Sequence, residues 1–326
     1  MRRAWTRSSA LLGALLLLLA PATSVTLQAA TLRVGPTHEY ATIGAALTQA
    51  ASGDTILVSS GTYSGPDNRG LNFENRDVAL VSETGAASTI IDCEGLDRAL
   101  EFHLYARSTA VVDGFTIRNG SAEFGGGIYC VFSAPEIRNC RIEHCTAARA
   151  GGAIRYSETP DAVLENCDFY YNVADRGGAL STLDTTIELK DCDVFYNSAR
   201  SGGAMHLHRG TTSLRDCALR YNVADECGGA VYADASVLLE AYDSLFTHGS
   251  AGENGGGIYA GSAAIRMNNC EVGANSAGGS SGGGGIFVKS GSWELTDCLI
   301  GGNSANHAGG VYIVAYNSTE TGSIVG

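Results

Sequence analysis

Four polar residues have side chains suited to acid–base chemistry, and each stands shortly after a Gly-Gly pair. They are Arg155, His206, His208 and Asp234. Acid–base catalysis requires such groups to lie close together around one substrate. Two histidines separated by a single residue can also bind a metal ion, but no third ligand is identifiable, so we predict no metal site and no cofactor.

Aromatic residues occupy the equivalent position after other Gly-Gly pairs. Aromatic rings can stack on sugar rings, so this stripe is a candidate glycan-binding surface. The alternative is that the rings stack on one another and stabilise neighbouring strands. The stripe comprises Tyr129, Tyr232, Tyr259, Phe287 and Tyr312.

Both hypotheses depend on a repeat that places equivalent residues side by side. The aliphatic residue that closes each Gly-Gly marker recurs at intervals of 25–28 residues. A fixed period of this size indicates a solenoid or an array. Helical repeats usually have longer units with two helices, and the Leu spacing of leucine-rich repeats is absent. The closing residues are Ile128, Ile154, Leu180, Met205, Val231, Ile258, Ile286 and Val311.

Each period is predicted to form three short strands separated by bends. Ile154 and Tyr156 alternate with outward residues in the first strand, and Leu164 lies in the second. Cys167 and Phe169 point inward in the third. Such a period cannot bury its apolar face alone, so it stacks on copies of itself. The predicted fold class is all-β, a right-handed parallel β-helix with a short N-terminal capping helix.

The bends are predicted where residues that tolerate left-handed backbone conformations concentrate. One bend is marked by an Asn or Asp column and another by the Asn172 column. The first column comprises Asn166, Asp191, Asp216, Asp243, Asn269 and Asp297.

Cysteines form a further column, one per period, with Ser244 filling the single gap. We interpret the column as small apolar core residues, because one Cys per coil does not give tetrahedral zinc geometry. The column comprises Cys140, Cys167, Cys192, Cys217, Cys270 and Cys298. Four other cysteines can form disulfides in an exported chain, and the sequence leaves their connectivity open: Cys93, Cys130, Cys145 and Cys227.

The N-terminal part of the chain is predicted to direct export and to cap the first coil. Residues 1–24 combine three arginines with a short apolar run and small residues, which is typical of a secretory signal peptide. The run is too short to span a bilayer, so no membrane-spanning segment is expected in the mature chain. Residues 31–110 are predicted to form the N-terminal cap and irregular first coils. A helix between residues 40 and 51 would cover the first coil.

Regular coils of about 26 residues are predicted from residue 111 to residue 326. The last marker opens a coil that the sequence does not complete. We therefore expect the chain to be a fragment of a longer protein with a missing C-terminal anchor domain, or to have its end covered by a partner.

Two recurring sequence motifs in the coils resemble those of a known protein family. Gly-Gly-Ala-Ile at 151–154 and Phe-Tyr-Tyr-Asn at 169–172 resemble the repeats of chlamydial-type polymorphic outer membrane proteins, and the likeness covers roughly residues 111–312. This resemblance implies a surface-exposed or secreted region with a role in adhesion. The chain also resembles right-handed β-helix proteins more widely, which implies kinship with many polysaccharide lyases, esterases and hydrolases. In those enzymes the first-strand sheet commonly carries the substrate.

The net charge and the absence of known catalytic motifs argue against several classes of function. A formal net charge of −13 disfavours nucleic acid and anionic membrane surfaces as partners. No pair of facing carboxylates and no outward acidic cluster for calcium can be identified, which argues against a glycosidase or a calcium-dependent lyase. We therefore predict an exported protein with a cell-surface or extracellular structural or adhesive role, its partners being polysaccharides or cell-surface glycans. The alternatives are a carbohydrate-active enzyme and a non-catalytic glycan-binding module.

Overall fold

A computed structural model describes residues 28–74, 76–103, 110–280, 282–314 and 322–325. The predicted signal peptide, residues 1–24, lies outside this part of the chain. The described residues wind into coils that stack along one axis.

The first strand of each coil pairs in parallel with the first strands of the neighbouring coils, and from the strand that begins at Ile128 onward it follows the Gly-Gly marker. These strands are β4 (Leu71–Asn72), β7 (Leu100–His103), β11 (Ile128–Val131), β15 (Ile154–Ser157), β19 (Leu180–Lys190), β22 (Met205–Arg215), β25 (Val231–Tyr242), β28 (Ile258–Ala260), β32 (Ile286–Val288) and β35 (Val311–Ile313).

The second strand of each coil belongs to the same 19-stranded sheet as the first. In β19, β22 and β25 the two strands are continuous. The separate second strands, together with the two strands that open the fold, are β1 (Thr31–Val34), β2 (Thr55–Val58), β5 (Ala79–Ser82), β8 (Val111–Asp113), β12 (Glu136–Arg138), β16 (Ala162–Glu165), β29 (Ala264–Asn268), β33 (Trp293–Thr296) and β36 (Gly322–Val325).

The third strands form a sheet of ten. They are β3 (Gly61–Tyr63), β6 (Thr89–Asp92), β9 (Thr116–Arg118), β13 (Arg141–Glu143), β17 (Asp168–Tyr170), β20 (Asp193–Phe195), β23 (Ala218–Arg220), β26 (Leu245–Thr247), β30 (Glu271–Gly273) and β34 (Leu299–Gly301).

A fourth strand, which the sequence did not predict, closes the coil and forms a sheet of seven. These strands are β10 (Ser121–Phe124), β14 (Thr146–Ala150), β18 (Val173–Arg176), β21 (Ser198–Ser201), β24 (Val223–Ala224), β27 (Ser250–Ala251) and β31 (Ser276–Ala277). The prediction of three strands per coil was therefore wrong, and the predicted position of Cys167 was also wrong. Cys167 occupies the bend before the third strand and not the strand itself.

Inward side chains of all coils merge into one apolar core that extends from Leu32 to Leu295. Successive coils are in register, so that Ile154 lies beside Leu180 and Tyr156 beside Thr182. Parallel neighbours ~4.8 Å apart complete each other's backbone hydrogen bonds. The fold is therefore an all-β parallel solenoid in which a residue's neighbours are its equivalents one period away.

The bend before the third strand has the predicted conformation. Asn166 and Asp191 have φ values of 51° and 50°, and the rest of their column is also left-handed. The second predicted bend differs, because its left-handed residue is Tyr171 (φ 53°) and not the adjacent Asn172. Asn172 is fully buried instead, and its backbone N–H donates to Asn197 Oδ1 over 2.9 Å.

Two different constraints explain the Gly-Gly marker. Gly151 has φ 69°, where a side chain is strained. Gly152 approaches the next coil so closely that a Cβ would lie 2.1 Å from the carbonyl oxygen of Gly178. The marker therefore allows neighbouring coils to pack at the turn that leads into the first strand.

Helix α1 (Ile43–Gln49) is shorter than the predicted helix. The Thr42 hydroxyl accepts a hydrogen bond from Ala45 N over 3.3 Å and begins the helix. Ile43 and Leu47 face the core. Within the described ranges, no helix has the length and apolar composition needed to cross a bilayer.

The cysteines of the column are core residues, as predicted, and all but Cys298 are buried. Cys167 and Cys192 are at most 1% exposed, and their thiols donate to the carbonyl oxygens of Ile137 and Leu164 in the preceding coil. All ten cysteines lie in the described ranges, and all ten are free thiols.

Candidate functional site

All the predicted candidates except His208 and Asp234 share one row of outward side chains on the first strands. The strand registers align these side chains along the solenoid at ~4.8 Å per coil. We call this line the central row. It comprises Glu101, Tyr129, Arg155, Ser181, His206, Tyr232, Tyr259, Phe287 and Tyr312.

A second row flanks the central row where the fourth strands end. Phe124, Ala150, Arg176 and Ser201 align in this flanking row. The ring of Phe124 stacks beside Tyr129 at a centroid distance of 6.1 Å. The central and flanking rows together form a strip along the solenoid, which is the candidate site.

The C-terminal half of the strip is aromatic, and its rings stack on one another. Ring centroids are 4.9 Å apart from Tyr232 to Tyr259 and 5.3 Å apart from Tyr259 to Phe287, with planes within 11°. His206 stacks on Tyr232 at one end, and Tyr312 stacks on Phe287 at the other. The faces of the inner rings are covered, so a sugar ring can reach only their edges.

This packing leaves the inner aromatic side chains largely inaccessible. Tyr259 and Phe287 are 8% and 5% exposed and pack against Cys227 from the adjoining turn. Burial, with a smaller contribution from Asp234, raises the pKa of Tyr232 to about 12. The phenol is therefore neutral at physiological pH and can act only as a hydrogen-bonding group.

The N-terminal half of the strip is cationic around Arg155. The half-buried guanidinium donates from Nη1 to Ser181 Oγ over 2.6 Å. Burial lowers the pKa of Arg155, and the positive charges of Arg176 and Arg149 act in the same direction. Among the described residues, no carboxylate lies within ion-pairing distance of this guanidinium.

His206 lies beside Ser181 in the next coil and is 9% exposed. Burial, followed by the charges of Arg176 and Arg155, lowers its pKa to about 3, so the imidazole is neutral at pH 7. Its Nδ1 is buried and has no hydrogen-bond partner in the described part of the chain. A neutral imidazole with a free nitrogen can donate or accept one hydrogen bond, depending on its tautomer.

His208 and Asp234 lie apart from this cluster. They face each other across neighbouring coils, two residues beyond the central row. Asp234 accepts hydrogen bonds from Ala235 N at 2.7 Å and from the Tyr232 hydroxyl at 3.4 Å.

The four predicted candidates therefore do not form one catalytic group. Arg155 and Asp234 are three coils, or about 14 Å, apart along the solenoid. Arg155 hydrogen bonds to Ser181, the register neighbour of His206, whereas His208 and Asp234 form a separate pair of register neighbours. No cluster of three or more His, Cys, Asp or Glu side chains suited to a metal occurs among the described residues.

Sequence reasoning missed Ser181 and Arg176. Ser181 occupies the same position after its marker as Arg155 does, so the period alone was sufficient to find it. Arg176 directly precedes the marker, and its relation to the central row depends on the fourth strand, which was not predicted.

An exposed aromatic ladder on the bend before the fourth strand was also missed. Its five rings stack at centroid distances of 4.5–5.2 Å. The signal was the residue that precedes the Asn column in each coil. The ladder comprises His144, Tyr171, Tyr196, Tyr221 and His248.

Comparison with solved structures shows what the fold is similar to. A structure titled rhamnogalacturonan lyase aligns over 90% of this chain and 86% of its own, with a TM-score of 0.50 and 12% identity. At this identity the similarity concerns the fold alone. A deglycosylated pectin methylesterase from Aspergillus niger covers 90% of this chain and 84% of its own, with a TM-score of 0.30 and 13% identity.

No curated protein matches the chain significantly. A family profile described as a right handed beta helix region matches residues 78–240, which is half of the sequence and includes the cationic part of the strip. With the parallel coils described above, this match shows that the chain belongs to the right-handed β-helix family.

Proposed function

We propose that this chain is an exported polysaccharide-binding protein that acts in attachment at a cell surface or in the extracellular matrix. The polysaccharide lies along the strip. The resemblance of its coils to polymorphic outer membrane protein repeats supports the attachment role, and the signal-like first 24 residues support export.

The length of the central row carries the proposal. Nine outward residues in register extend over eight coil steps, or about 38 Å, without a break. Such a line fits a linear polymer better than a small molecule. Arg155 and the hydroxyl groups of Tyr129, Tyr232 and Tyr312, all of them partly exposed residues, offer hydrogen-bonding groups along it.

Affinity electrophoresis of the protein from Val25 onward, in gels that contain neutral or acidic polysaccharides, tests the proposal. We expect retardation by at least one polymer, and we expect Arg155→Ala or Tyr312→Ala to weaken it. Arg266→Ala is the matched control, because Arg266 lies on the second-strand face and is exposed. Equal retardation of all variants, or none by any polymer, would contradict the proposal.

A polysaccharide lyase or hydrolase is the second candidate. One observation favours it: the neutral imidazole of His206 lies two coils from Arg155 in the same row, close enough for the guanidinium charge to act on it, so the row holds both a base and an anion-stabilising group. Release of reducing or unsaturated ends, measured with and without calcium, distinguishes an enzyme from a binding protein. Turnover that disappears in a folded His206→Ala/His208→Ala variant would replace the attachment role with catalysis.

A further inference from the structure

We propose that Arg155, Arg176 and His206 form a subsite for one anionic substituent of the polysaccharide, a carboxylate or a sulfate ester. The inference rests on the proposed function and adds the charge class of the ligand. Three observations carry it.

The first observation is that Arg155 differs from most of the other described arginines in its partner. Arg138, Arg200 and Arg215, for example, each contact a carboxylate of a neighbouring coil at 2.8–3.0 Å. Arg155 is more buried than these, yet its hydrogen bond is to the neutral hydroxyl of Ser181. A guanidinium removed from water without an anion is costly, and an arriving anion would remove that cost.

The second observation is the orphaned nitrogen of His206. The ring is more than nine-tenths buried, and no described residue hydrogen bonds to Nδ1. Buried polar atoms in proteins are nearly always satisfied, so an unpartnered one indicates a missing partner. With its proton on Nδ1, the neutral ring donates to an anionic oxygen.

The third observation is the concentration of positive charge in a chain that is acidic overall. Arg155 and Arg176 both act on His206, and Arg149 and Arg176 both act on Arg155. Arg176 precedes Gly177, whose Cβ would lie 2.9 Å from His206 N, so this turn packs directly on the strand of His206. The nearest acidic partner of Arg176, Asp175, is 3.7 Å away and leaves much of the guanidinium available.

Planar guanidinium groups match carboxylate and sulfate oxygens with paired hydrogen bonds. The subsite therefore places one anion between Arg155 and Arg176, with the imidazole of His206 completing its hydrogen bonds. Neighbouring sugars of the polymer would extend over Tyr129 on one side and Tyr232 on the other.

Polymers that share a backbone test the subsite. Binding of the protein to dextran, carboxymethyl-dextran and dextran sulfate is measured by affinity electrophoresis at two salt concentrations. We expect carboxymethyl-dextran, dextran sulfate or both to bind more tightly than dextran, and the one that binds more tightly identifies the anion. Added salt is expected to weaken this preference.

Three variants separate the subsite from general attraction to anions. Arg155→Gln is expected to reduce affinity for the preferred anionic polymer about tenfold to a hundredfold, the loss of one charged hydrogen-bonding group. Arg155→Lys is expected to recover part of it, because the charge returns without the planar fork. His206→Phe keeps a ring on Tyr232, removes Nδ1 and is expected to reduce affinity in the same direction.

Arg266→Gln serves as the charge-matched control, and a melting curve for each variant establishes that it is folded. Equal binding of dextran and the anionic polymers would overturn the subsite but leave the proposed function intact. An equal effect of Arg155→Gln and Arg266→Gln would also overturn the subsite. Binding of no polysaccharide at all would overturn both proposals.

Discussion

Three tyrosines at one bend show how side-chain stacking offsets local backbone strain. Tyr171, Tyr196 and Tyr221 have φ values of 53–56°, a region that bulky residues rarely enter. Each such conformation costs on the order of 1 kcal/mol or more. The rings stack at 5.1–5.2 Å while remaining 42–49% exposed. Contact between the rings and the hydrogen bonds of the next residue, a buried Asn, compensate for the strain.

The buried Asn ladder gives a prediction at the residue scale. Asn197 accepts from the backbone N–H of Asn172 at 2.9 Å and donates from Nδ2 to the carbonyl oxygens of Phe169 and Phe195, both at 3.0 Å. Asn197→Ala leaves these buried groups unpaired, so the free energy of unfolding should fall by about 2–4 kcal/mol. Denaturant unfolding followed by circular dichroism measures the change.

Asn166→Gly is the matched control for this prediction. Its side-chain amide donates to the exposed Asn139, its backbone N–H donates to Lys190 O as a glycine would, and its left-handed φ of 51° suits glycine. We expect a change within about 0.5 kcal/mol. A loss as large as that of Asn197→Ala would show that the Asn ladder has no special role.

At the scale of the element, the second glycine of each marker fixes the distance between coils. Gly152→Ala would place a Cβ 2.1 Å from Gly178 O and 2.7 Å from Val173 N, both of them backbone atoms that cannot move aside alone. We expect the free energy of unfolding to fall by about 2–4 kcal/mol. Gly301→Ala provides the comparison, because its Cβ would meet nothing within 4 Å. Equal melting temperatures of the two variants would contradict this account.

Asp54 is expected to make the stability of the N-terminal cap depend on pH. Its carboxylate accepts hydrogen bonds from Ala30 N at 2.7 Å and Ala51 N at 2.8 Å, and these bonds lower its pKa below 3.8. A lowered folded-state pKa gives stability that is fully present above the unfolded pKa and is lost as the pH falls through the folded value. Asp54→Ala should therefore be less stable than the native chain at pH 7.

The stability difference should shrink as the pH falls below about 3.8, the unfolded value. Melting temperatures of both proteins between pH 7 and pH 2.5 measure it. Asp67→Ala, at an exposed position near the same helix, is the control. A difference between Asp54→Ala and the native chain that does not depend on pH would show that the carboxylate charge is not the cause.

At the scale of the whole molecule, the 25–28-residue repeat was sufficient to predict the fold and much of the strip from the sequence. Parallel coils in register convert a spacing of 25–28 residues directly into spatial neighbours, as for Arg155, Ser181 and His206. The contacts made by the side chains do not follow from the period. The repeat does not reveal that Arg155 donates a hydrogen bond to Ser181, or that the aromatic rings cover each other's faces. Those features depend on rotamers and on the flanking row.

The same modularity predicts that one whole coil can be removed. Deletion of residues 258–285 joins Gly257 to Ile286, which preserves the Gly-Gly-Ile marker and brings Phe287 beside Tyr232. In the Asn column, Gly249 N would then donate to Asn303 Oδ1, as it now donates to Asn275 Oδ1. Because the stability of a solenoid is approximately a sum over repeats and their interfaces, the loss should be about 1–4 kcal/mol, with cooperative unfolding retained.

A half-coil deletion supplies the contrast. Removal of residues 258–271 joins Gly257 to Val272, so a third strand would follow the marker and every later column would be out of phase with the core. We expect this variant to lose its cooperative transition and the far-ultraviolet dichroism of the sheets. If both deletions unfolded alike, the coils could not be independent stacking units, and the register from which the central row is derived would have to be reconsidered.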